Sequence, residues 1–438
     1  MDHAGDWDLA SFYPGLASPE YRADRERLDA LVAQIEQAPD VASRLLQLHE
    51  LETRFEHLQS YLHCLRSQAS NPPAQAEIAQ LDGITVARDK LWLAVRDQLA
   101  ALSDREFGAL CARPELEPFI YYISRARQKA QWSMSASEEA LAADLMPTAL
   151  TSWSRLYDEV SGSLEFSLEV PGKPPQRLPV SMSRTLIEDA DPAVRRASAL
   201  GSQAAWQGVQ HVCNAALNGI AGTRVALAAR RQSGDFLATP LFDNGMSRAT
   251  LDAMWNAVRQ RQAVPRRYLK AKAKRLGVSR LAFWDIAAPL PGGGARLDWN
   301  TGWQRIHQAF AKLPELADMA RIAERDRWVD WQTRPGKRPG GYCTDFPLAQ
   351  ATRIFMTYQG SLGDISTLAH ELGHSYHAWA TRDLPYWATR YPLGLAETAS
   401  TFAEELVSDA LLASPDISAA DKAALADARL EGAVAFLL

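Results

Sequence analysis

The chain has 438 residues, 47% apolar and 23% charged, ordinary proportions that exclude a disordered or fibrous protein and fit two or three domains. Lys plus Arg number 47 against 52 Asp plus Glu, a net charge of −5, which argues against a nucleic-acid binder. No run of ~18 apolar residues predicts a membrane span. The acidic opening at 1–6 and four scattered cysteines (Cys64, Cys111, Cys213, Cys343) point to the cytoplasm and reduced thiols.

In chain order, helix dominates. Leu28, Leu31, Val32 and Ile35 recur at i, i+3, i+4, i+7. Leu45, Leu46, His49, Phe55 and Leu58 continue a similar stripe. His49, His57 and His63 sit among Leu, Phe and Tyr and read as packed helix-face residues. Further helices are predicted over 74–102, 193–231, 248–275 and 318–325. Period-two alternation over 162–170 predicts a strand that runs into a turn at Pro171-Gly172. A second short strand is expected over 340–344. Breakers at 171–179 and 289–294 mark loops. The expected class is mainly α with a few short β-strands.

At 366–379 the chain reads Ser-Thr-Leu-Ala-His-Glu-Leu-Gly-His-Ser-Tyr-His-Ala-Trp, which contains His-Glu-x-x-His at 370–374. With 9 His and 52 acidic residues, chance supplies such a pattern roughly 0.02 times per chain. Helical residues four apart are rotated by about 40° and separated by about 6 Å. Imidazoles at His370 and His374 can therefore grip one metal ion. Glu371 lies about 100° round from His370, where a carboxylate can take a proton from a water the metal activates. Asp364 and Ser366 are the candidate N-caps of this helix.

A zinc site of this type needs a third ligand and an open position. His377 falls about 4.5 Å further along the helix than His374, past the metal. Glu397 is the better candidate, because the small residues Ala396, Ala399 and Ser400 let a second helix approach closely. The first helix should end near Arg382, and Pro385 and Pro392 fit a returning loop. Glu404, at i+7 from Glu397, reads as a partner of a ligand or as a solvent-facing charge beside Glu405.

These residues resemble the oligoendopeptidase F branch of the M3, thimet oligopeptidase-like, zinc metallopeptidases. The likeness rests on 370–374 followed by Ala-Glu-Thr-Ala-Ser at 396–400. It extends to Trp7-Asp8-Leu9 with Phe12-Tyr13-Pro14, to 281–285 with Pro289, to the Gly-rich 336–343 and to 358–364, and so spans nearly the whole chain. It implies a zincin-type fold, two helical halves around a deep channel that admits short peptides and excludes folded proteins. The N-terminal helical region would occupy 1–180 and the catalytic domain 181–438. The resemblance further implies that His370, His374 and Glu397 bind one Zn2+ ion and that Glu371 is the general base. Gly340, Gly341 and Tyr342 would lie along the substrate path and pair with peptide backbone as a strand edge does. Tyr342 also reads as a strand residue packed in a wall. Cys343 reads as packed, since no base pattern accompanies it. The implied activity is a zinc endopeptidase acting on short oligopeptides.

The family's oxyanion-stabilising His and Tyr residues lie well downstream of the zinc glutamate, and no residue here matches them. Tyr358, Tyr376, Tyr386 and Tyr391 have no spacing that makes one a substitute. The expectation is a chain that lacks a C-terminal portion, with apolar surface exposed and 433–438 as a helix cut in mid-run. Two alternatives stand beside the endopeptidase: a metal binder of weak catalysis, and a zinc carboxypeptidase.

Overall fold

A computed structural model describes residues 6–67, 71–231, 235–292, 296–334, 337 and 340–437. Residues 1–5, 293–294 of the predicted loop, Gly336, Arg338 and Pro339 of the Gly-rich stretch, and Leu438 lie outside the described residues.

Helices α1 (Pro19–Glu36), α2 (Val41–Leu65) and α3 (Pro72–Ala101) open the fold. Ser18, Asp40 and Asn71 cap them, each side chain accepting a first-turn N–H. Leu28, Leu31 and Ile35 meet Leu45, Leu48, Phe55 and Leu58 in one core. The three histidines pack as rings. His57 meets Phe12, Tyr13 and Phe346, His49 meets Phe119 and Trp387, and His63 meets Tyr342. Burial pushes the His57 imidazole down to about 4, so it packs neutral.

Helices α4 (Asp104–Cys111), α5 (Ile120–Lys129), α6 (Ala136–Met146) and α7 (Ser152–Ser163) lead to a hairpin of β1 (Glu165–Leu168) and β2 (Gln176–Pro179). The strand is shorter than 162–170 because Gly162 and Ser163 complete α7. Its partner β2 falls inside the expected 171–179 loop, where Gly172 at φ 78 turns the chain back. Next come α8 (Met182–Leu186), α9 (Pro192–Gly208), α10 (Gln210–Arg231), α11 (Ala238–Asp243), α12 (Arg248–Arg261) and α13 (Ala263–Arg275). The patterns over 193–231 and 248–275 each divide in two, at Val209 and Gln262.

Helices α14 (Trp299–Phe310) and α15 (Pro314–Arg325) lead to a second sheet of β3 (Val329–Asp330), β4 (Tyr342–Phe346) and β5 (Ala351–Phe355). Its order is β3-β5-β4, with β3 parallel and β4 antiparallel to β5. Helices α16 (Leu362–Ala380), α17 (Leu393–Ala413) and α18 (Ala419–Leu437) follow. Strand β5 divides two cores. Phe355 joins Phe346 and Trp387 in the N-terminal core, and Ile354 joins Phe310, Met319, Ile365 and Leu372 in the other. Buried Arg353 interrupts the apolar run of β5, and it donates to the Asp8 carbonyl and the Ser11 hydroxyl.

The loop between α16 and α17 is anchored in the N-terminal core. Buried Glu52 accepts the indole N–H groups of Trp92, at 2.9 Å, and of Trp387. Tyr122 stacks on Trp387 at 4.9 Å between ring centroids. Glu52→Ala leaves two buried donors unpaired and should cost roughly 3 kcal/mol, at one to three per orphaned group. A lowered thermal midpoint would register it. No helix among the described residues is long and apolar enough to cross a membrane.

Candidate metal centre

Helix α16 starts earlier than predicted. Its N-cap is Ser361, not Asp364 or Ser366. The Ser361 hydroxyl accepts the Asp364 N–H at 3.0 Å, and Asp364 accepts the Ser361 N–H at 3.0 Å. This reciprocal pair satisfies two free first-turn donors. Gly360 at φ 88 swings the chain into the helix, and a Cβ there would lie 2.6 Å from the Leu297 carbonyl oxygen. Ile365, Leu368, Ala369 and Leu372 bury one stripe of α16. The histidines lie on the next face and are half-buried.

The Nε2 atoms of His370 and His374 lie 3.2 Å apart. Glu397 Oε2 lies 3.3 Å from the first and 3.5 Å from the second. One ligand atom from each residue falls within 4.8 Å of the other two. The helices come this close because of Gly373. A Cβ on Gly373 would sit 2.5 Å from both Ala399 O and Ser400 Cα. Fully buried Ser400 then donates to Glu397 Oε2 at 2.8 Å and fixes the carboxylate. The sequence reading has Ser400 as a small residue of this approach and misses its hydrogen bond to Glu397 and the matching small residue, Gly373, on α16.

Glu404 is a partner of His370, not a solvated charge. It accepts from His370 Nδ1 at 2.5 Å. That donor places the ring proton on Nδ1, so Nε2 keeps its lone pair for a cation. Ser366 donates to the other Glu404 oxygen at 3.4 Å. Burial lowers the His374 pKa, and the bond to Glu404 raises that of His370.

Glu371 is buried, and its Oε2 has no hydrogen-bond partner. Burial pushes its carboxyl up to about 7, with Glu397 and Glu404 adding to the rise and His370 opposing it. A cation held by the three ligands would pull it down again. Gly341 passes beside this carboxylate, since a Cβ on it would lie 3.3 Å from Glu371 Oε1. Gly340 has φ 105, a conformation suited to glycine.

The Tyr342 ring does not face this centre. It stacks on Phe355 at 5.3 Å, touches Trp7 and His63, and its hydroxyl pairs with Ser67. Alternation along β4 sends it into the N-terminal core, as a wall residue. Cys343 packs with its Sγ 3.4 Å from the Ser375 hydroxyl, and burial pushes its thiol far up. His377 stacks face to face on Tyr391 at 3.9 Å, outside the cluster of three. Two imidazoles and one carboxylate with an open side form a donor set suited to zinc.

Residues 309–436 match the family model described as Peptidase family M3, and residues 98–166 the one described as Oligopeptidase F. An oligoendopeptidase F homolog of Lactococcus lactis subsp. lactis is 28% identical over 232 residues, 52% of this chain and 38% of that protein. The group B oligopeptidase PepB of Streptococcus agalactiae is 22% identical over 396 residues, 85% of this chain and 63% of that one. The chain thus spans less than two thirds of the length of either relative. The solved oligoendopeptidase-F of Enterococcus faecium superposes with a TM-score of 0.66 at 19% identity, covering 94% of this chain and 71% of that one. That likeness carries the fold, mainly α and of the zincin type. With the fold alike and both family models matched in chain order, this chain is similar to the oligoendopeptidase F branch of peptidase family M3.

Proposed function

We propose that the chain is a zinc-dependent endopeptidase of short oligopeptides, with Glu371 as general base. One observation carries the reading: a His, His, Glu cluster within 4.8 Å lies beside a buried carboxylate oxygen that has no partner. The donors fit zinc, because Glu404 leaves His370 Nε2 unprotonated and Ser400 holds Glu397 toward both rings. His370, His374 and Glu397 would hold the ion. When bound, zinc supplies Lewis acidity that acidifies a water and polarises a carbonyl. Glu371 takes the proton of that water and delivers it to the leaving amine. Gly340, Gly341 and the backbone of Tyr342 line the peptide's path. Gly341 leaves room beside Glu371, and the outer edge of β4 offers backbone groups to an extended peptide. Four free thiols fit a reducing compartment, the cytoplasm.

The test is zinc content together with product masses from a short quenched peptide. Bound zinc, internal cleavage, loss on chelation and recovery with zinc are the expected results. Zinc without cleavage would sink the hydrolase reading, and release of single C-terminal residues would mark a carboxypeptidase instead. One observation favours weak catalysis as a second reading. The hydroxyls of Tyr358, Tyr376 and Tyr386 donate to Leu297 O, Glu315 and Glu56, so these three are committed away from a developing oxyanion. The measured kcat separates the two.

A further inference from the structure

Strand β4 and helix α16 run side by side in the same direction. Gly341 lies against Glu371, and two strand residues on, Cys343 lies against Ser375, four helical residues on. Two strand residues rise about 6.7 Å and four helical residues about 6 Å, so the pairing stays in step. One further step takes Asp345 to the C-terminal end of α16. A cavity of about 380 Å³ opens there, with Asp345, Thr352, Trp379 and Tyr391 in its walls. Tyr391 is the residue stacked on His377, one turn beyond His374.

Asp345 is accessible through this cavity, yet it has no ion pair or side-chain hydrogen bond among the described residues. Desolvation and the like charge of Glu56 push its carboxyl up to about 6. Other charged groups nearby are committed. Glu56 accepts from the Tyr386 hydroxyl at 3.1 Å. Arg382 donates to the Trp379 carbonyl at 2.6 Å and lies over the Trp379 ring. The last carbonyls of α16 add partial negative charge. A carboxylate in this setting is best stabilised by a cation that a ligand brings.

We propose that Asp345 anchors a subsite for a cationic group of a bound peptide, its α-ammonium or a lysine or arginine side chain. The proposal rests on the peptidase reading above. A peptide extended along the outer edge of β4 advances about 3.3 Å per residue. Antiparallel pairing, the more stable arrangement, then sets the group beside Asp345 about four residues before the scissile bond. An α-ammonium held there makes the site measure distance from the chain end. A side chain held there makes it a sequence preference.

The test uses quenched peptides of one core sequence, with a free or acetylated amino terminus and with lysine or glutamine four residues before the scissile bond. The full chain is expected to favour the cationic member of a pair by about tenfold in kcat/KM, the worth of one charge-assisted hydrogen bond, expressed in KM. Asp345→Asn should remove that preference, and Asp345→Lys should turn it toward a glutamate peptide. The acetylated arm and the glutamine arm tell the α-ammonium from the side chain. Anisotropy of labelled peptides on Glu371→Gln reads the same preference without turnover. Charge-selective binding with no cleavage by the unmodified chain would end the hydrolase reading and leave the subsite standing. Equal ratios in the unmodified chain and in Asp345→Asn, for both kinds of cation, would overturn the proposal.

Discussion

Glu371→Gln is expected to lower kcat by about a thousandfold, within the range of a lost general base, while zinc stays bound at full occupancy. Glutamine matches glutamate in shape but cannot accept the water proton. Glu371 is not in the cluster of three ligand donors, so their spacing of 3.2 to 3.5 Å has no reason to change. The substitution breaks no bond at Oε2, which has no partner to lose. It also removes a carboxylate that burial pushes up to about 7, so the variant should fold as well as the parent. Kinetics, bound zinc and the thermal midpoint are the three readouts. Near-normal turnover with zinc in place would remove Glu371 from the role of base.

What the sequence makes legible here follows from periodicity and spacing. The interval between His370 and His374 is a helical repeat, so the pair shares a face wherever that helix packs. Glu397 is legible because Ala396, Ala399 and Ser400 leave its helix face small. The cap at Ser361 carries a readable Ser-x-x-Asp signature over 361–364, and Asp364 lies at its third position rather than at its start. Other features depend on partners far along the chain. The Tyr342 ring turns inward because Trp7, His63 and Ser67 receive it. Strand β5 is hidden by Arg353, a charge that strands buried on both faces seldom carry, paired here with the N-terminal segment. Glu404 has two readings in the sequence because only the rotation of α17 on α16 decides whether it meets His370.

Gly373→Ala should weaken zinc binding although it alters no donor. By local propensity the change is favourable, since glycine costs a helix interior about 1 kcal/mol relative to alanine. The tertiary contact opposes it. The new Cβ would stand 2.5 Å from Ala399 O and Ser400 Cα. Both are backbone atoms of α17, so no rotamer relieves the clash. Carbon atoms pack at about 3.5 Å or more, and α17 must therefore retreat by about 1 Å at this point. Glu397 lies two residues from Ala399, and the hydroxyl that orients it belongs to Ser400. The retreat carries both away from two histidines that stay on α16. Metal–ligand distances tolerate about 0.2 Å, so zinc affinity should fall at least tenfold, by about the factor a lost supporting group costs. Overpacking at about 1 to 3 kcal/mol against a gain of about 1 leaves stability near the parent or slightly below. Competition with a chromophoric chelator measures the affinity, and circular dichroism reports whether the helices persist. Unchanged zinc affinity in a folded Gly373→Ala chain would mean that α17 can retreat without moving Glu397, and the close approach would then not be what builds the site.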